Sequence, residues 1–150
     1  MLLLAAIVIA STSLAISAEN DLAIGTARGS FTYEGTTFDL KFAAAFVAYR
    51  QSDKPMIILL SDTRLPSDRW LSEFNIMQDK TPWSGVAFFL RKGEVFRTDV
   101  HVKGHQSSVS GYLDLKLNDP TAKELTGHAK CRENDKGTKL DVTFHTNGIL

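Results

Sequence analysis

The chain carries four histidines, His101, His105, His128 and His145, and imidazole is well suited to hold a transition metal or to move a proton near neutral pH. His101 falls on the polar parity of an alternating run, and His105 follows in a polar stretch that reads as loop. If residues 134–137 form a tight hairpin loop, His128 faces Thr143 and His145 lies one diagonal step away on the same outer face. Such diagonal neighbours lie about 7–8 Å apart by Cα. Two imidazoles at that separation could share a metal ion, with His101 or Asp141 as a third ligand. The chain has no His-x-His, no helical His-x-x-x-His and no cysteine pair, and scattered histidines on a polar face are more often simply solvated. No cofactor is called for.

Two further constellations carry chemistry. Asp62, Arg64, Asp68 and Arg69 cluster at a corner after an apolar run. Charges of both signs there could hold a carboxylate or sugar hydroxyls, although an aspartate at a turn more commonly caps it and pairs with a nearby arginine. Trp70, Phe74 and Trp83 follow. They could line a pocket for an apolar or sugar ligand, or pack a helix onto the core. Serine hydrolase chemistry needs a nucleophile on a strained turn such as G-x-S-x-G, a string the chain lacks. With no catalytic motif, the sequence points to a non-enzymatic domain.

The elements that must position these residues read as strands. Apolar and polar side chains alternate at a period of two over 25–33, 36–50, 86–90, 95–102, 109–117, 125–132 and 139–146, and 56–60 (MIILL) is a short apolar run suited to a central strand. In one run Phe96, Val100 and Val102 point one way, while Arg97, Asp99, His101 and Lys103 point the other. Leu113, Leu115 and Leu117 point inward, with Asp114 and Lys116 outward. The run from Thr36 starts polar on one side and ends apolar on both, which predicts double burial or a bulge. Glu34-Gly35 and Lys92-Gly93 are tight-turn signals. These runs predict an all-β, mostly antiparallel domain of about eight strands, a β-sandwich or an up-and-down barrel, with preference for the sandwich.

Residues 61–84 break the alternation. Ser67 could cap one short helix, with Trp70, Leu71 and Phe74 on one face. An ordered segment lying across a sheet opening is expected, since a structureless loop of that length is unusual in a compact domain.

The runs GTARGSFTYEGTTFDLKFAAAF, MIILLSDTRLP and LTGHAKCRENDKGTKLDVTF resemble a family of uncharacterised exported bacterial β-sheet proteins. In that family a Gly-rich opening leads through an Ala/aromatic strand to an L-T/S-D-x-P-L-P corner and a closing hairpin. The corner is matched by Leu60 to Pro66, and the hairpin by Gly127 to Cys131 with Leu140 to Phe144. The resemblance implies a single exported β-sheet domain and no known activity.

Composition sets the outer limits. The 150 residues include 17 basic and 17 acidic side chains, so no net field draws the chain to nucleic acid or to an anionic membrane. Residues 1–18 carry no charged side chain, and their continuous apolar block, Leu2 to Ala10, is too short to cross a bilayer core of about 30 Å. Small residues follow, and charge begins at Glu19. This is the pattern of a cleavable signal peptide over 1–18, leaving a single β-sheet domain over 19–150. It predicts export to the periplasm or the medium, with no stable membrane insertion after cleavage. Cys131 is the only cysteine, so no intrachain disulfide forms and a buried, inert thiol is expected. The expected role is to bind a small ligand or a protein through 61–84. A metal-binding role through the histidines is one alternative, and a structural or assembly role through a sheet edge is another.

Overall fold

The computed structural model describes residues 21–149 apart from Ser110, Tyr112 and 132–136. The signal-peptide segment and most of the turn expected at 134–137 lie outside the described residues. The strands are β1 (Thr26–Tyr33), β2 (Thr36–Val47), β3 (Met56–Ser61), β4 (Gly85–Arg91), β5 (Glu94–Val102), β6 (His105–Val109), β7 (Leu113–Leu117), β8 (Glu124–Cys131) and β9 (Lys139–Gly148). They form one curled sheet in the order β6-β5-β4-β3-β2-β1-β9-β8-β7, every neighbouring pair antiparallel. A single half-barrel therefore takes the place of two facing sheets. Apart from the β1–β9 pairing, ladder neighbours are chain neighbours, which short turns at Glu34-Gly35 and Lys92-Gly93 make possible.

The concave face is the larger core. Phe31, Leu40, Ile58, Leu60, Val86, Phe88, Leu140, Val142 and Phe144 are all at most 2% exposed there. Each large apolar side chain so enclosed stabilises the fold by about 1.5–3 kcal/mol. Leu113, Leu115 and Leu117 pack against the rim of this core, while Asp114 and Lys116 are exposed. In β2 the inward parity changes between Leu40 and Ala43, beside a register shift between β1 and β2, so the strand is both irregular and covered on two faces. Gly85 is required where β4 meets β3: at φ +156° a Cβ there would lie 2.0 Å from the Leu60 carbonyl oxygen.

The central strands are buried on their convex face too. Phe46, Ile57, Leu59, Ala87 and Phe89 form a second core with Leu65, Trp70, Ile76 and Trp83 from the crossing segment. That segment therefore lies on the outside of the sheet and not across its opening. The apolar alternation of β3 and β4 on both faces left an outer surface that some other element had to cover.

Three local expectations change. The polar stretch from His105 is strand β6 and not loop, so the run expected over 109–117 divides into two strands. Phe96 faces outward: the register passes from Phe89↔Arg97 to Leu90↔Val95, so Phe96 is an extra residue in a bulge and is 45% exposed. The helix expected after Ser67 is a 3-10 turn at Ser67–Arg69 followed by α1 at Phe74–Gln78. Among the described residues no helix is long and apolar enough to cross a membrane.

Candidate functional site

The crossing segment is clasped at its base. The Asp62 carboxylate accepts the Ser84 N–H at 2.8 Å, and the Asp62 N–H donates to the Ser84 carbonyl at 2.9 Å. The two ends of the excursion, 22 positions apart, are thereby held together. Arg64 lies over the Phe42 ring, 5.2 Å from its centroid. It borders a groove of about 450 Å³ with Leu65, Pro66, Ser67 and Asn147. Arg69 is exposed. The charged corner thus separates into a structural clasp at Asp62 and a stacked cation at Arg64.

Side chains fix the turn that leads into helix α1. Asn75 Oδ1 accepts the N–H groups of Leu71 and Ser72, each at 3.0 Å, and Ser72 Oγ accepts that of Phe74 at 3.2 Å. A helix of five residues has no stability of its own. It is held by Ile76 in the outer core and by an ion pair from Glu73 Oε2 to Arg97 Nη2 at 2.6 Å.

Of the three aromatic candidates, two are core. Trp70 is 7% exposed and meets the Phe46 ring edge-on at 5.7 Å. Trp83 is 1% exposed and stacks on the His101 ring at 4.1 Å and 20°. Phe74 is 59% exposed. With Leu71 at 43% and Met77 at 65% it forms an apolar series at three-residue spacing. Phe74 and Met77, three apart in α1, share the side of the helix that faces away from the core Ile76 fills, and Leu71 is exposed just before the helix.

The alternation places His101 on the polar face, and that face is covered here. His101 is 3% exposed, and its Nε2 has no hydrogen-bond partner. Burial pushes its pKa down to about 4, against a smaller upward pull from the Asp99 carboxylate. His101 is therefore a neutral ring at physiological pH. Asp99, fully buried two residues earlier, accepts from Gln106 Nε2 at 2.6 Å and Ser108 Oγ at 2.7 Å, and forms an ion pair with Arg97 Nη2 at 3.2 Å. The Arg97 guanidinium also lies 3.7 Å from the Phe89 centroid. Two small niches sit between this polar row and α1. One, of about 140 Å³, is bordered by Glu73, Arg97, Asp99 and Gln106. The other, of about 170 Å³, is bordered by Asp79, Trp83, His101 and Gln106.

The remaining histidines stand apart from His101. The expected register holds: His128 faces Thr143, and His145 pairs with Thr126. His128 Nε2 bonds Asp141 Oδ1 at 2.7 Å. His145 bonds the Leu22 carbonyl through Nδ1 at 2.9 Å and Glu124 Oε2 through Nε2 at 3.3 Å. His105 is exposed on β6. Among the described residues no three His, Cys, Asp or Glu side chains are grouped to hold a metal ion. Cys131 is buried, its Sγ 3.4 Å from the Thr138 carbonyl, and burial pushes its thiol pKa up.

The structure thus joins residues from separate constellations, Trp83 with His101, and adds neighbours the alternation did not single out for a site: Glu73, Met77, Phe96, Arg97 and Asp99. The spacing of Leu71, Phe74 and Met77 was a legible signal. The Glu73–Arg97 pair, 24 residues apart, was not. Set against known proteins, the chain matches no protein-family model, no curated protein and no solved structure.

Proposed function

We propose that this chain is an exported, non-enzymatic binding domain that contacts a partner protein through the outward side of its crossing segment. The carrying observation is the division within that segment: Trp70, Ile76 and Trp83 are buried, while Leu71, Phe74 and Met77 remain 43%, 59% and 65% exposed. The buried set suffices to hold the segment on the sheet. Exposed apolar side chains grouped on a rigid support mark interaction surfaces more often than chance. The surroundings favour a protein partner. Glu73 ties the helix to Arg97, Arg97 lies on Phe89, and Phe89 meets the half-exposed Phe96, whose ring Arg91 covers at 4.3 Å. Phenylalanine, methionine and arginine are the types enriched at the centres of protein interfaces. Export is read from residues 1–18 of the sequence alone.

The test is a Phe74→Asp, Met77→Asp double variant compared with the parent by cross-linking in extracts of the native cell envelope and medium. Partners captured by the parent should be lost at least about tenfold in the variant, with the unfolding midpoint unchanged. An identical set of cross-links from both proteins would refute the reading.

A further inference from the structure

A polar ring sits behind the weakest part of the outer core. His101 is 3% exposed, is stacked on Trp83 at 4.1 Å, and has no hydrogen-bond partner at Nε2. Beside it lies the niche of about 170 Å³, bordered from the crossing segment by Ile76, Met77 and Asp79. That volume has room for several water molecules at about 30 Å³ each. Ile76 and Met77 belong to α1, and Asp79 caps its C-terminal end. The five-residue helix is seated on the sheet by Ile76 and by the Glu73–Arg97 ion pair, while Met77 is exposed. Lifting α1 therefore gives up one large buried side chain and one ion pair, and lets water reach both Trp83 and His101.

The surroundings of the ring do not suit a charge. An imidazolium carries two N–H donors, and both need acceptors once buried. Asp99, on the same strand, already accepts from Gln106 and Ser108 and is paired with Arg97. Asp79, from the crossing segment, accepts the Thr81 N–H at 2.8 Å. Gln106, from β6, gives its Nε2 to Asp99. Gly85, opposite His101 on β4, has no side chain to offer. Lys103, exposed in the turn after β5, adds a charge of the same sign. The indole face of Trp83 attracts a cation but accepts neither N–H in its stacked position. Burial accordingly lowers the ring pKa from 6.5 to about 4.

We propose that His101 is an acid-sensitive latch: protonation of its ring lifts α1 from the sheet and takes apart the contact surface of Leu71, Phe74 and Met77. Above pH 6.5 the ring is neutral whether α1 is seated or lifted, and nothing drives release. Between pH 6.5 and about 4 the lifted form takes the proton and the seated form does not, so release gains about tenfold per pH unit. Below about pH 4 both forms are protonated and the drive stops growing. A domain built this way holds a partner at neutral pH and lets go in acid. That consequence rests on the reading of the surface as a partner-contact site, whereas the release itself needs no partner.

Trp70 and Trp83 are the only tryptophans of the chain, and both are buried in the crossing segment. Indole fluorescence therefore reports this segment, and far-ultraviolet circular dichroism reports the sheet. From pH 7.5 to pH 4 the emission of the parent should move to the red while the sheet signal persists. Amide exchange over residues 74–79, corrected for its intrinsic pH dependence, should show the opening constant rising about 300-fold. His101→Phe should hold both readings level. Ile76→Ala, which weakens the seat of α1 and leaves His101 in place, should bring on the red shift at a higher pH. Emission and sheet signal lost together, equal pH profiles for the parent and His101→Phe, or an unmoved profile for Ile76→Ala would overturn the proposal. If the Phe74→Asp, Met77→Asp variant captures the same partners as the parent while the red shift stands, the contact reading fails and the latch does not.

Discussion

Trp83→Ala should lower stability by about 3–5 kcal/mol, read as a large fall in the urea midpoint, whereas Phe74→Ala should change it by no more than about 0.5 kcal/mol. Both residues are large aromatics of the same crossing segment, and a composition-based view would treat them alike. Trp83 is 1% exposed, belongs to the outer core with Ile57, Leu59 and Phe89, and stacks on His101. Its removal leaves a cavity over the centre of the sheet and uncovers a buried polar row. Phe74 is 59% exposed, so its truncation gives up little burial. Equal losses for the two variants would mean that the segment is not anchored as described.

Acid should destabilise this fold earlier than its carboxylates alone require. His101 has a pKa of about 4 in the folded chain, below its ordinary value of 6.5, because burial disfavours the imidazolium. Above pH 6.5 the ring is neutral in both states, and stability is complete. As pH falls below 6.5 the unfolded chain takes up the proton first, so stability is lost progressively until the folded ring also protonates near pH 4. The difference corresponds to about 3 kcal/mol over that window. The groups facing the ring are Asp99 on its own strand, Asp79 and Trp83 from the crossing segment, and Gln106 from β6. Of these only Asp99 opposes the shift, and it is already engaged by Gln106, Ser108 and Arg97. Urea unfolding of the parent and of His101→Phe, repeated from pH 7.5 to pH 4, should show the parent losing about 3 kcal/mol more than the variant. Parallel curves would show that the ring is solvated in the folded chain.

How much of this was legible in the sequence depends on whether a residue's surroundings are local. The inward leucines of β7, the doubly buried MIILL strand and the His128–Thr143 register all follow from a two-residue period and a turn, and the structure has each of them. Phe96 does not follow, because one extra residue opposite Phe89 and Leu90 reverses its side. The strand at His105–Val109 is polar along nearly its whole length, and its place comes from pairing with β5 and not from its own pattern. His101 was legible as a polar-face residue of its strand, but what covers that face arrives from Trp83, 18 positions earlier and outside any strand. The same non-local cover hides Asp99. The candidate site was half visible: residues 61–84 stand out as the segment that breaks alternation, while which aromatics turn inward depends on distant partners, Phe46 for Trp70 and His101 for Trp83.

The central claim is that the crossing segment is folded onto the outer face of β2 to β5 and not over the mouth of the half-barrel. Proton NMR distance measurements between the Trp83 indole and the His101 ring test it most directly. Rings stacked at 4.1 Å predict strong cross-peaks between them, with Phe74 ring protons showing none to either residue. Absence of Trp83–His101 contacts, or contacts from Trp83 to Phe31 and Phe144 on the concave side, would contradict the account.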